Sequence, residues 1–190
     1  MARGIETVGM PLKIGLVGTG SISNRHLAAY LEHPDRLELT AVCDIVQDAA
    51  DEYAKRAGVS NVYTRFDDMI RNADIDAVDI CTSHDQHAPQ TIAAAAAGKH
   101  VLVEKSMADN LQNCREMIEA AEMAAVTLMV GQQLRYSPEA RMVKQFIDEG
   151  NVGDIQAVRT HVMTMATRKP WMNDAKYGGG ILMLNSVHHI

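Results

Sequence analysis

At 190 residues, 47% of them hydrophobic and 22% charged, the chain is long enough for one well-buried domain and part of a second, with an ordinary globular composition. A formal net charge of −6, without any Lys/Arg cluster, argues against a nucleic-acid partner and leaves small molecules as the expected ligands. No apolar run approaches the roughly 20 residues of a membrane span, and Met1 to Pro11 lacks the apolar centre of a signal peptide, so the cytoplasm is the expected compartment.

After a loose leader over residues 1–10, Leu12 to Val17 reads as a strand that enters a glycine turn and then a helix over Ser21 to Leu31. Leu37 to Cys43 is a second strand, and Val46 to Ala57 a helix stopped by Gly58. Helix Phe66 to Asn72 and strand Ala77 to Cys81 follow, then helix Pro89 to Ala97, stopped by Gly98. The five alanines 93–97 are better explained by a helix packed tightly on a sheet than by low complexity. His100 to Val103 is an apolar strand that delivers the charged pair Glu104-Lys105 at its carboxyl end, where open α/β sheets place their chemistry. Leu111 to Ala124 is a helix with Asp109 or Asn110 as its cap, and Thr127 to Val130 another strand.

Strands alternating with helices predict a doubly wound parallel (Rossmann) sheet over residues 11–133. Residues 134–190 begin an incomplete α+β second domain, with an amphipathic helix over Glu139 to Glu149 and an extended segment over Ile155 to Met165. A loop at Gly178 to Gly180 and a helix from about Ile181 complete it, and that helix is still seeking partners at Ile190. Either the chain is a fragment or another copy covers the surface, and a homo-oligomer is the expected assembly.

Gly18-x-Gly20-x-x-Ser23 matches the dinucleotide fingerprint, with Ser in place of the third Gly. The first glycine permits the tight turn, the second lets the backbone approach a pyrophosphate, and helix amides from Ser21 onward stabilise its charge. Asp44 closes the second strand about 20 residues further on, where a carboxylate bonds ribose hydroxyls and repels a 2′-phosphate, favouring NAD over NADP. The plain alternative makes the glycines a strand-to-helix turn and Asp44 a helix cap.

With these features the chain resembles the glucose-fructose oxidoreductase / inositol dehydrogenase (Gfo/Idh/MocA) family of NAD(P)-dependent sugar dehydrogenases. The resemblance rests on Gly18-Thr19-Gly20 with Ile22, on Asp79-Ile80-Cys81-Thr82-Ser83-His84-Asp85-Gln86-His87, and on Ala97-Gly98-Lys99-His100-Val101 leading to Glu104-Lys105-Ser106. The last triplet departs from the family's usual Glu-Lys-Pro. The resemblance implies hydride transfer between a nicotinamide and a hydroxyl-bearing carbon of a sugar, inositol or related polyol. Lys105 would bond the hydroxyl and help take its proton, while Glu104 orients it or contacts the nicotinamide ribose. Thr82, Ser83 and His87 would line the cofactor, joined from the segment Gln132 to Pro138 by Gln133 and Arg135. A surface linker is the competing reading of that segment.

Gly178-Gly179-Gly180 through His189 resembles the family's glycine-rich loop and catalytic helix, which usually presents an Asp and, four residues on, a His. No Asp stands in either register here. His188 fits the acid/base position better than His189, with Asn185 as a nearby substrate contact. Lys176 and Tyr177 read equally as substrate contacts or loop residues.

Other features have plainer readings. His84 and His87 are spaced i, i+3 but lack a nearby third ligand, so no metal is expected. Cys43, Cys81 and Cys114 show no CxxC spacing and read as small hydrophobes. Met163, Met165, Met172 and Met183 read as core or subunit-interface fillers. The leading expectation is an NAD-dependent dehydrogenase; the alternative is a catalytically silent NAD-binding module or fragment.

Overall fold

The computed structural model describes residues 9–161. Six strands form one sheet: β1 (Leu12–Val17), β2 (Leu37–Cys43), β3 (Asn61–Tyr63), β4 (Ala77–Ile80), β5 (His100–Glu104) and β6 (Leu128–Gly131). Their spatial order is β3-β2-β1-β4-β5-β6. β1 pairs in parallel with β2 and with β4, β2 with β3, and β4 with β5. The order reverses between β1 and β4, and such a switch opens a crevice at the carboxyl ends of the strands.

Helices α1 (Ser23–Glu32), α2 (Gln47–Ala57), α3 (Phe66–Asn72), α4 (His84–Ala96) and α5 (Leu111–Met123) connect the strands, and α6 (Pro138–Asp148) follows them. Period-two alternation divides the strand side chains between two cores. On one face Val17, Cys43, Val78, Ile80, Val101 and Val103 meet Met69 of α3, Ala88 and Ala94 of α4 and Met117 of α5. On the other face Ile14, Leu16 and Val42 meet Leu27 and Tyr30 of α1 and Tyr53 and Ala54 of α2. Full burial of a side chain such as Leu16 contributes about 2 kcal/mol.

Within the described residues the sequence-predicted strands and helices are present except one extended segment, with ends shifted by a few residues; the helix expected from about Ile181 lies outside them. Of the five alanines 93–97, Ala94 and Ala95 pack as expected and are fully buried, while Ala96 and Ala97 are exposed. α4 ends at Ala96, two residues before Gly98, which adopts a left-handed φ of 71°, and Asn110 caps α5 by accepting from the Asn113 N–H. Three differences stand out. β3 was not anticipated, because a three-residue strand with one exposed and two half-buried residues carries almost no apolar signal. α4 begins at His84, not at Pro89, so the proline lies inside the helix and not at its favoured first position. Residues 155–161 form no strand among the described residues, since a strand requires a hydrogen-bonding neighbour; the rest of that expected segment lies outside them.

Backbone contacts divide the chain into two compact units, residues 1–130 and 131–190. The described part of the second holds a short 3-10 turn (Gln133–Tyr136) and α6, whose first turn is capped by the Ser137 hydroxyl accepting from the Ala140 N–H. The apolar side chains Met142, Val143 and Phe146 of α6, with Val152 and Val158, remain exposed among the described residues.

Candidate active site

The turn after β1 is fixed by contacts that only glycine permits. Gly18 has φ of 90° and donates its N–H to the Cys43 carbonyl at 2.8 Å; a Cβ there would stand 2.7 Å from the Cys81 carbonyl oxygen. A side chain at that position collides with the backbone leaving β4. Gly20 is different: a Cβ would meet nothing within 4 Å, so the space beside it is open to a ligand. Ser23, in the place of the third fingerprint glycine, is fully buried and donates its hydroxyl to the Gly20 carbonyl at 2.6 Å. Ile22 packs partly against the α1–α2 core, and Ser21 lies exposed at the turn just before α1.

Asp44, the residue after β2, binds this turn with one oxygen and α2 with the other. Its Oδ2 accepts from both the N–H and the hydroxyl of Thr19, each at 2.8 Å, and its Oδ1 accepts from the Val46 N–H at 3.0 Å. The carboxylate is half-buried at the same edge of the sheet as the open space by Gly20. That combination of a vacant glycine backbone, a helix start and a fixed carboxylate fits a pyrophosphate with its ribose.

The loop after β4 carries Thr82 and Ser83. Thr82 donates its hydroxyl to Gln90 Oε1 at 2.7 Å, and Ser83 stands at the cap of α4. His87, expected as a cofactor contact, is turned toward backbone in this structure. It is fully enclosed, with Nδ1 2.8 Å from the Ser106 carbonyl oxygen and Nε2 3.1 Å from that of Thr82. Both nitrogens face backbone carbonyls, and a neutral ring donates to one of them at a time, so His87 links the loops after β4 and β5. Burial holds its pKa below 6.5, and that of His84 likewise.

β5 delivers Glu104 and Lys105 to the same edge. Glu104 is buried, and its Oε2 accepts from the Lys105 N–H at 3.0 Å. Lys105 is half-buried; burial pulls its ammonium below the usual 10.5, with the neighbouring Glu104 carboxylate opposing. The Lys105–Ser106 peptide bond is cis.

Behind this pair lies a buried polar network that sequence reasoning missed. Leu16, Asp79 and Leu102 are in register on β1, β4 and β5. Asp79 and Glu104 therefore project toward α1, opposite to Val78, Ile80, Val101 and Val103. His26 of α1 bridges them, with Nδ1 2.6 Å from Asp79 Oδ2 and Nε2 3.1 Å from Glu104 Oε1. One turn along α1, Tyr30 donates its hydroxyl to the same Asp79 oxygen. The signal was an acid inside the apolar strand Ala77–Ile80, a residue type almost never buried without a partner.

Gln133 and Arg135 are exposed on the 3-10 turn of the second unit. Asn185, His188 and the alternative His189 lie outside the described residues, as do Lys176, Tyr177 and the four methionines 163, 165, 172 and 183. All three cysteines are free thiols; burial pushes Cys43 and Cys81 up to about 12, which keeps them protonated.

A six-stranded doubly wound sheet, with a glycine turn and a strand-end carboxylate at its switch point, defines a dinucleotide-binding protein of the Rossmann class. Comparison with known proteins narrows the class. Residues 12–132 match the family described as "Oxidoreductase family, NAD-binding Rossmann fold", and the chain belongs to this Gfo/Idh/MocA family. It is 31% identical over 180 residues to the myo-inositol 2-dehydrogenase of Thermotoga maritima, covering 93% of this chain and 52% of that protein. It is 35% identical over 149 residues to the inositol 2-dehydrogenase of Salmonella typhimurium, covering 76% and 44%.

Among solved structures, it is similar to the WlbA dehydrogenase of Bordetella pertussis, crystallised with NADH and UDP-GlcNAcA. The TM-score is 0.73 at 34% identity, over 75% of this chain and 43% of that one. The scyllo-inositol dehydrogenase of Lactobacillus casei, with bound NAD(H) and scyllo-inositol, gives a TM-score of 0.72 at 32% identity, over 76% and 43%. The chain spans about half the length of the curated relatives it matches. No helix among the described residues is long and apolar enough to cross a membrane.

Proposed function

We propose that this chain is the nucleotide-binding part of an NAD-dependent oxidoreductase that moves a hydride between nicotinamide and a hydroxyl-bearing carbon of a sugar, inositol or related polyol. One observation carries the reading: the carboxyl edge of the sheet brings the Gly18–Gly20 turn, Asp44 and the Glu104-Lys105 pair together. The relatives that act on inositols support the substrate class.

In this reading the Gly20 backbone and the start of α1 at Ser21 and Ile22 hold the pyrophosphate. Asp44 accepts from the ribose hydroxyls and repels a 2′-phosphate, which selects NAD over NADP. Thr82, Ser83 and Glu104 border the nicotinamide side, and Gln133 and Arg135 are cofactor contacts in the same reading. Bound NAD supplies the hydride acceptor. Lys105, its ammonium destabilised by burial, bonds the substrate hydroxyl and in its neutral form takes the O–H proton as the carbon gives up hydride, leaving a carbonyl. His188 shares the proton transfer as acid/base, with Asn185 as a substrate contact. Residues 11–133 form the nucleotide domain and 134–190 the start of a substrate and oligomerisation domain. Assembly as a homo-oligomer in the cytoplasm belongs to the same proposal.

The test is calorimetric titration with NADH and with NADPH, followed by a screen of inositols and sugars for turnover. Saturable binding that prefers NADH, together with turnover of a polyol, is the expected result. NADH binding without any turnover would replace the proposal with a catalytically silent NAD-binding module. Absence of binding would overturn both.

A further inference from the structure

His26 is the one member of the buried network whose two polar atoms reach both acids. Asp79 is almost wholly enclosed, at 1% exposure, and Glu104 is 6% exposed. Both are neighbours of one imidazole, through Nδ1 at 2.6 Å and Nε2 at 3.1 Å. An ionised carboxylate only accepts hydrogen bonds, so an imidazole satisfying two of them must donate from both nitrogens and carry a positive charge. Without that charge two acids would share a buried site with no cation between them, an arrangement that costs several kcal/mol. Other groups facing the ring are neutral: the Tyr30 hydroxyl from α1, the Tyr53 hydroxyl from α2, and the Cys81 thiol, whose Sγ stands 3.7 Å from Nδ1.

The two oxygens of Glu104 divide their work. Oε1 meets His26, and Oε2 accepts from the Lys105 N–H at 3.0 Å. The path from α1 to the strand-end lysine is therefore ring, carboxylate, backbone, with no gap.

We propose that His26 is a positioning residue for Lys105: its ring, spanning Asp79 and Glu104, holds the Glu104 carboxylate against the Lys105 backbone and offsets the charge that Lys105 would otherwise feel. The inference rests on the reading that Lys105 is the group that meets the substrate. In this proposal His26 acts through Glu104, which its Nε2 meets at 3.1 Å. Burial would lower the His26 pKa, but the hydrogen bonds to Asp79, Cys81 and Glu104 raise it well above 6.5, in keeping with a permanently charged ring.

The test uses the full chain without nucleotide or polyol, so failure to turn over a substrate bears on the proposed function and not on this inference. Lys105 is titrated by its pH-dependent acetylation with acetic anhydride, read by peptide mass spectrometry. Removing the positive ring in His26→Gln leaves an uncompensated carboxylate beside Lys105, and its apparent pKa should rise by about one unit. Glu104→Gln should lower it by a similar amount. A His26 that merely fills space predicts no shift in His26→Gln, and an unmoved Lys105 titration would overturn the proposal. Should His26→Gln fail to fold, ring-nitrogen NMR of histidine-labelled wild type decides the matter. His26 doubly protonated at pH 8 is expected, and a neutral ring there would overturn it.

Discussion

Asp44 and Thr19 are joined twice: one carboxylate oxygen accepts from both the backbone N–H and the hydroxyl of Thr19, each at 2.8 Å. The acid at the end of β2 thus shapes the glycine turn of β1 before any nucleotide arrives. Asp44→Asn keeps an oxygen for Thr19 but removes the charge. Its NADH affinity should weaken about tenfold and its preference for NADH over NADPH should largely vanish, since charge-assisted hydrogen bonds are roughly twice as strong as neutral ones. Parallel calorimetric titrations with both nucleotides check this.

The two glycines of the turn should respond differently to the same methyl group. Gly18→Ala places Cβ against the Cys81 carbonyl at a φ of 90°, and a stability loss of about 3 kcal/mol is expected from clash and strain together. Gly20→Ala meets no neighbour, so its unfolding midpoint should hardly move while NADH affinity falls at least tenfold, because the methyl fills the ligand's space. Denaturant unfolding and NADH titration of both variants separate the two effects.

Lys105→Met retains the length and packing of the side chain and removes the amine. Turnover should fall by roughly 10²–10⁴, the usual contribution of a positioned acid or base, with NADH affinity changed by less than about threefold. Steady-state kinetics on a polyol found in the screen gives the first number, and calorimetry the second.

Stability should peak near neutral pH and decline on both sides. The pKa values of His84 and His87 are held below 6.5 chiefly by burial, so the unfolded chain binds their protons more readily, and stability falls as pH drops below 6.5. His26 has the opposite sign. Its folded pKa lies above 6.5, so its contribution is complete below that value and diminishes as pH climbs past it. Unfolding midpoints measured across this range should show a shallower acid limb in His87→Gln and a shallower alkaline limb in His26→Gln.

Local signals made the fold readable. Leu12–Val17 and Leu37–Cys43 were bounded correctly because an apolar run, a turn glycine and an acid follow one another within a few residues. The Gly18, Gly20 and Asp44 constellation was visible for the same reason. The His26 network was not, because its partners lie 53 and 78 residues away in sequence and only strand register brings them to one face. The backbone contacts of His87 were not legible either, because a histidine at the head of a helix has the same sequence pattern whether it faces a ligand or two carbonyls. Pro89 misled by preference: a proline commonly opens a helix, but here five residues of α4 precede it.

The ring of His87 touches the carbonyls of Thr82 and Ser106, one on each side of the crevice floor. Two loops that belong to different strands thereby meet at one buried side chain. The loop that carries Lys105 is thus tied, at Ser106, to the loop that carries Thr82, and the spacing of the two is set at folding.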